Sequence, residues 1–103
     1  MLDRLYNIIL SRRDQADAAN SYVAQLFQKG RKKIAQKVGE EGVETTIAAI
    51  RDDRAEIISE SADLLFHLSI LWADAGITPQ DVDNELRKRE GISGIAEKQS
   101  RKD

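Results

Sequence analysis

Two acidic pairs, Glu41 with Glu44 and Glu60 with Asp63, carry the spacing that puts both carboxylates on one side of an α-helix. Carboxylates crowded onto facing helices repel one another, and a hard divalent cation is the ordinary means of holding them together. The second pair lies in ESADLLFHL, a run apolar enough for a core, where each unpaired ionised carboxylate would cost on the order of several kcal/mol. A fifth acid, Glu40, immediately precedes Glu41 in KVGEEGVET. The chemistry such a cluster supports is capture of a cation that in turn binds phosphate oxygens. All-oxygen ligation points to Mg²⁺, with Mn²⁺ as a substitute. The Glu-x-x-His pattern of diiron bundles is missing, because His67 lies four residues after Asp63 and seven after Glu60.

At about 100° per residue, Glu41 and Glu44 stand about 60° apart, with Glu40 about 40° beyond Glu44, so the three share one face of their helix. Glu60 and Asp63 fall on a stripe continued by Leu64, His67 and Leu71, which predicts that these acids point inward. Lys37 sits amid the acids, placed either to neutralise Glu41 or to reach a phosphate; Lys33 is a further candidate for phosphate contact. His67 reads as a satisfied core residue rather than a ligand, and Trp72 as packing. An isolated acidic pair on a helix is most simply a solvated face with i, i+4 ion pairs. Two pairs on successive helices, one of them in an apolar run, favour a metal site instead.

The elements that must position these residues are helices. One proline and six glycines punctuate the chain, and long stretches of Ala, Leu, Ile, Glu, Lys, Arg and Gln suit an all-α fold. A first helix is predicted over residues 2–13, followed by a loop over 14–20. Ser21 caps a short helix that Gly30 ends; a long one runs from Arg31 to Arg51, and another from 54 to 75, closed by Gly76. Thr78 and Pro79 open a last helix reaching about Glu90. The segment from Gly91 reads as a loop. Residues 64–72 are apolar almost all round, which predicts the centre of the bundle, a subunit interface, or both, and hence a homo-oligomer.

Composition narrows the function. The 103 residues suit one domain spanning 1–103. Sixteen Lys and Arg against 18 Asp and Glu give a net charge of −2, which argues against nucleic acid or an acidic membrane as partner. Without cysteine there is no disulfide framework, thiolate zinc site or thiol nucleophile. The N-terminal MLDRLYNIILSRRDQ has an acid at position 3 and too short an apolar run for a signal sequence, and no segment approaches the roughly 18 apolar residues of a membrane span. A soluble, unprocessed, cytoplasmic protein is expected.

Three segments, SYVAQLFQKGRKKIAQKVGEEGVET, ESADLLFHLSILWADAGI and GISGIAEKQSRK, together resemble the phosphoribosyl-ATP pyrophosphohydrolase family, within the all-α, MazG-like nucleoside triphosphate pyrophosphohydrolases. The acidic pattern marks the superfamily. Tyr22 with LF-x-KG ahead of KVGEE, and the SGIAEK tail, resemble the histidine-pathway branch. Val23 stands where threonine is usual and Gly42 where alanine is, and neither change touches an acid. The resemblance implies an antiparallel bundle of four to five helices that dimerises, in which Glu41, Glu44, Glu60 and Asp63 bind Mg²⁺ and Glu40 is a further acidic site residue. It also implies hydrolysis of the α–β phosphoanhydride of 1-(5-phosphoribosyl)-ATP, giving 1-(5-phosphoribosyl)-AMP and pyrophosphate.

Glu41 or Glu44 is the expected base for the attacking water, Lys37 and Lys33 the expected phosphate contacts, and Lys98 and Arg101 the tail residues expected to close over the substrate. Two other readings use the same residues. One is a pyrophosphohydrolase of other nucleoside triphosphates. The other is a non-catalytic helical dimerisation module whose acids form surface ion pairs.

Overall fold

In the computed structural model, residues 1–14 and 18–90 are described. Five α-helices follow one another: α1 (Leu2–Arg13), α2 (Tyr22–Lys29), α3 (Arg31–Ile50), α4 (Arg54–Ala75) and α5 (Pro79–Arg89), with a 3₁₀ turn at Ala18–Asn20 inside the segment the sequence marks as loop. Among the described residues there is no strand.

Local chemistry sets the boundaries. Ser21 has extended backbone and its side chain accepts from the Ala24 N–H, capping α2. Gly30 serves two helices: its N–H donates to Leu26 and its carbonyl accepts from Ile34, across a φ of 93° that a side chain would oppose. Asp53 caps α4 through the Glu56 N–H, immediately after Asp52 turns the chain with a φ of 54°. Gly76 ends α4 in the left-handed conformation, and Thr78 and Asp81 form a reciprocal capping box around Pro79.

The hairpin of α3 and α4 is the most extensive helix pairing of the fold. Its register follows from the hinge: Glu44 and Glu60 lie equally far from Asp52 along the chain, as do Glu41 and Asp63, and Ile34 and Ile70. At the end away from the hinge, α1 and α2 pack on it. There Ile9, Val23, Leu26, Ile34, Ile70 and Ala73 form the core, with Leu71 and Trp72 packed against it. Arg31 and Asp74 tie the start of α3 to the end of α4 by an ion pair at that same end.

Toward the hinge no other described helix covers the hairpin. Val43, Ile47 and Ile50 of α3 and Ile58 and Leu65 of α4 are exposed, so the all-round apolar character of α4 is only partly used within one chain. The acids therefore sit where the core stops. Ile70, wholly buried among four helices, holds that boundary. Ile70→Ala is expected to destabilise the fold by about 2–5 kcal/mol, measured by urea denaturation followed by helical circular dichroism.

Candidate metal centre

Antiparallel pairing of two helices that each carry an acidic pair turns four carboxylates toward one another. One donor oxygen each from Glu41, Glu60 and Asp63 lies within 4.8 Å of the other two. Oxygens bound to a single Mg²⁺ stand no more than about 4 Å apart, so small rotamer adjustments bring all three onto one ion. Glu41 is 7% exposed, Glu60 is half-buried, and Asp63 opens to solvent, which differs from the inward stripe expected of α4. The reason is the extent of the cover: among the described residues no helix packs over the hairpin beyond His67, so Asp63 lies at the rim.

Two buried oxygens, Oε2 of Glu41 and Oε2 of Glu60, have no hydrogen-bond partner. Each faces other acceptors rather than a donor. Burying such atoms unpaired costs about 1–3 kcal/mol apiece, more when charged, and a bound cation is one arrangement that removes the cost. The donor set is wholly carboxylate and thus fits a hard cation such as Mg²⁺.

Charge repulsion also shows in the protonation equilibria. The Glu44 carboxyl, within hydrogen-bonding reach, and then burial push the Glu60 pKa up to about 7, with Asp63 and Glu41 adding to the effect. Burial, followed by Glu44, raises Glu41. Glu44 itself is exposed and lies outside the three-oxygen group, although it touches two of its members.

Glu40 is turned to different company. Gln36 Nε2 donates to its Oε1 at 2.9 Å and Lys37 Nζ to its Oε2 at 3.2 Å, and these two bonds, Gln36 first, hold its pKa below the usual value. Lys37 stands 4.0 Å from Glu41 Oε1, so it leans on Glu40 more closely than on the buried acid. Lys33, half-buried one turn before Lys37, adds to the positive field on Glu40. Lys98 and Arg101 lie outside the described residues.

His67 is 6% exposed and bonded at both ring nitrogens: Nδ1 to the main-chain carbonyl of Asp63 and Nε2 to the Tyr22 hydroxyl, each at 2.8 Å. It is a satisfied histidine, as its sequence context suggests. Tyr22 is the neighbour that helical spacing does not single out. Only docking of α2 against α4 brings it to the acids. Beside Glu44 and Glu60, a cavity of about 180 Å³ runs between the helices toward the hinge, lined also by Ile47, Ala48, Arg51 and Glu56.

Residues 2–90 match the family described as phosphoribosyl-ATP pyrophosphohydrolase. Proteins named phosphoribosyl-ATP pyrophosphatase are similar along nearly the whole chain. That of Azospirillum brasilense is 59% identical over 102 residues, covering 99% of this chain and 91% of its own length. That of Rhizorhabdus wittichii is 57% identical, covering 97% and 93%. That of Gluconobacter oxydans is 54% identical, covering 98% and 75%.

The raised Glu60 pKa has a pH signature. Folded Glu60 holds its proton up to about 7, against 4.5 for an ordinary glutamate. Stability from this group is therefore fully present below pH 4.5 and lost as pH rises through 7. With divalent cations chelated, the melting temperature of the wild type relative to Glu60→Gln is expected to fall across that window. A flat difference in the melting curves would contradict the crowding of carboxyls at this site.

Proposed function

The chain belongs to the phosphoribosyl-ATP pyrophosphohydrolase family, and we propose that it hydrolyses 1-(5-phosphoribosyl)-ATP to 1-(5-phosphoribosyl)-AMP and pyrophosphate, in L-histidine biosynthesis. The observation that carries a metal-dependent route is the pair of orphaned buried oxygens on Glu41 and Glu60, within the cluster that Asp63 completes.

In this reading Glu41, Glu44, Glu60 and Asp63 hold Mg²⁺, which Mn²⁺ can replace. The ion supplies charge neutralisation for the phosphates and a more acidic bound water. The chain supplies the rest. Lys37 and Lys33 face the phosphate chain from α3, joined by Lys98 of the C-terminal segment. Attack of water at the phosphoanhydride needs an acceptor for its proton. Glu40 is a weaker base than Glu41, because Gln36 and Lys37 stabilise its ionised form while burial and Glu44 raise the proton affinity of Glu41. Glu44 is exposed and able to pass the proton to solvent, which favours it over buried Glu41.

Residues 1–103 act as one domain, in a homodimer located in the cytoplasm. Support for the dimer comes from the exposed Val43, Ile47, Ile50, Ile58 and Leu65, which form an apolar surface on the hairpin. Sedimentation equilibrium is expected to return twice the chain mass of 11.6 kDa. No helix among the described residues is long and apolar enough to cross a membrane.

Pyrophosphate release from phosphoribosyl-ATP, followed with and without Mg²⁺, tests reaction, substrate and metal together. Glu44→Gln and Asp63→Asn are each expected to lower Mg²⁺-dependent turnover by roughly 10²-fold or more while leaving helix content intact. Full activity in either would remove that residue from the site. Faster turnover of dCTP or dUTP would reassign the substrate.

A further inference from the structure

Tyr22 stands on the first turn of α2, outside the acidic helices, yet its hydroxyl reaches them through His67. The polarity of that connection can be deduced. His67 Nδ1 lies 2.8 Å from the Asp63 carbonyl oxygen, which only accepts, so Nδ1 carries a hydrogen and donates it. In the neutral imidazole Nε2 is then bare and accepts. With that neutral tautomer, the hydrogen in the 2.8 Å contact between Tyr22 Oη and Nε2 is the phenol's own. With its single hydrogen committed, Tyr22 Oη offers only lone pairs to anything else.

Tyr22 is 47% exposed, and its orientation comes from three contacts: the His67 bond and two rings. The phenol ring stacks on Phe66 with centroids 6.4 Å apart and meets the His67 ring edge-on at 5.7 Å. His67 is buried, so the group that holds the phenol cannot swing away. The charges that the hydroxyl senses are those of the site: burial raises its pKa, Lys37 opposes this, and Glu41, Glu40 and Asp63 reinforce it. A fixed acceptor among carboxylates adds to a negative potential and suits a ligand that donates. A fully ionised phosphate oxygen, which only accepts, is a poor match. Mg²⁺ dehydrates reluctantly and keeps several waters, each a polarised O–H donor in need of an acceptor.

We propose that Tyr22 is a positioning residue of the metal centre: its oxygen, with polarity set by His67, accepts a hydrogen bond from a water of the Mg²⁺ held by Glu41, Glu60 and Asp63. The role rests on the metal reading above and adds to it a residue from a third helix. Tyr22 thereby links the placement of α2 to the ion's hydration shell. His67 sets the phenol's direction without touching the metal.

The test is calorimetric titration of Mg²⁺ into the full chain without nucleotide, for wild type, Tyr22→Phe, His67→Asn and the double variant. Tyr22→Phe keeps the ring and its stack on Phe66 while deleting the acceptor. His67→Asn keeps a side-chain donor for the Asp63 carbonyl but nothing at the Nε2 position, freeing the phenol's hydrogen to turn toward the site.

Tyr22→Phe is expected to raise the Mg²⁺ Kd about tenfold, with His67→Asn moving it in the same direction and the double variant no further than Tyr22→Phe alone. A wild-type Kd in Tyr22→Phe overturns the proposal, even if metal-free melting temperatures fall, because that is the mark of a purely structural bond. So does a raised KM for the nucleotide at unchanged Mg²⁺ Kd, which assigns the oxygen to a substrate hydroxyl. Absence of Mg²⁺ binding by the wild type overturns the metal reading itself and the inference with it. Should His67→Asn fail to fold, Tyr22→Phe decides alone.

Discussion

Repulsion among the carboxylates of α3 and α4 is the interaction around which the rest of the molecule is arranged. Antiparallel pairing about Asp52 sets Glu44 toward Glu60 and Glu41 toward Asp63, and neither Oε2 of Glu41 nor Oε2 of Glu60 has a hydrogen-bond partner. Left to itself such a pair would splay. It is held shut on one side by the core around Ile34 and Ile70 and on the other by the tight turn and the Asp53 cap. The conflict therefore appears as raised proton affinity at Glu41 and Glu60 rather than as separation of the helices.

Surrounding groups divide the work by chemistry. Lys37 and Gln36 satisfy Glu40, so Lys37 reaches the three-oxygen cluster only at 4.0 Å, through Glu41 Oε1. Exposed ion pairs of this kind contribute little stability, so the arrangement matters more for the field at the site than for the fold. His67 spans the other side, its two nitrogens joining the α4 backbone to α2. The acids thus occupy a boundary between a packed half and an apolar but uncovered half of the same hairpin. That boundary supplies both the low-dielectric wall that makes carboxylates avid for a cation and the open rim through which a polyanion can approach.

Much of the fold was legible because helix ends are written in single residues. Ser21, Gly30, Gly76, and Thr78 with Pro79 all act where their types predict, since capping and left-handed turns depend on one side chain and its immediate backbone. Boundaries of α1, α3 and α4 agree with the sequence reading to within a residue. The 3₁₀ turn at Ala18–Asn20 was not legible, because its alanines carry no capping group. Solvent exposure of Asp63 also went against the stripe of α4 that predicts inward-pointing acids. A helical stripe records which residues lie together but not how far the neighbouring helices reach along it.

The chain by itself determined five helices, two acidic faces and a donor set suited to a hard cation, because these depend on residue type and on separations of one helical turn. Only tertiary structure decided which acids converge across the two helices and that a tyrosine from α2 is bonded to His67 beside them. Those outcomes depend on the antiparallel register of α3 on α4 and on the docking of α2. Both are set by long-range packing of Val23, Leu26, Ile34 and Ile70, which no local spacing encodes.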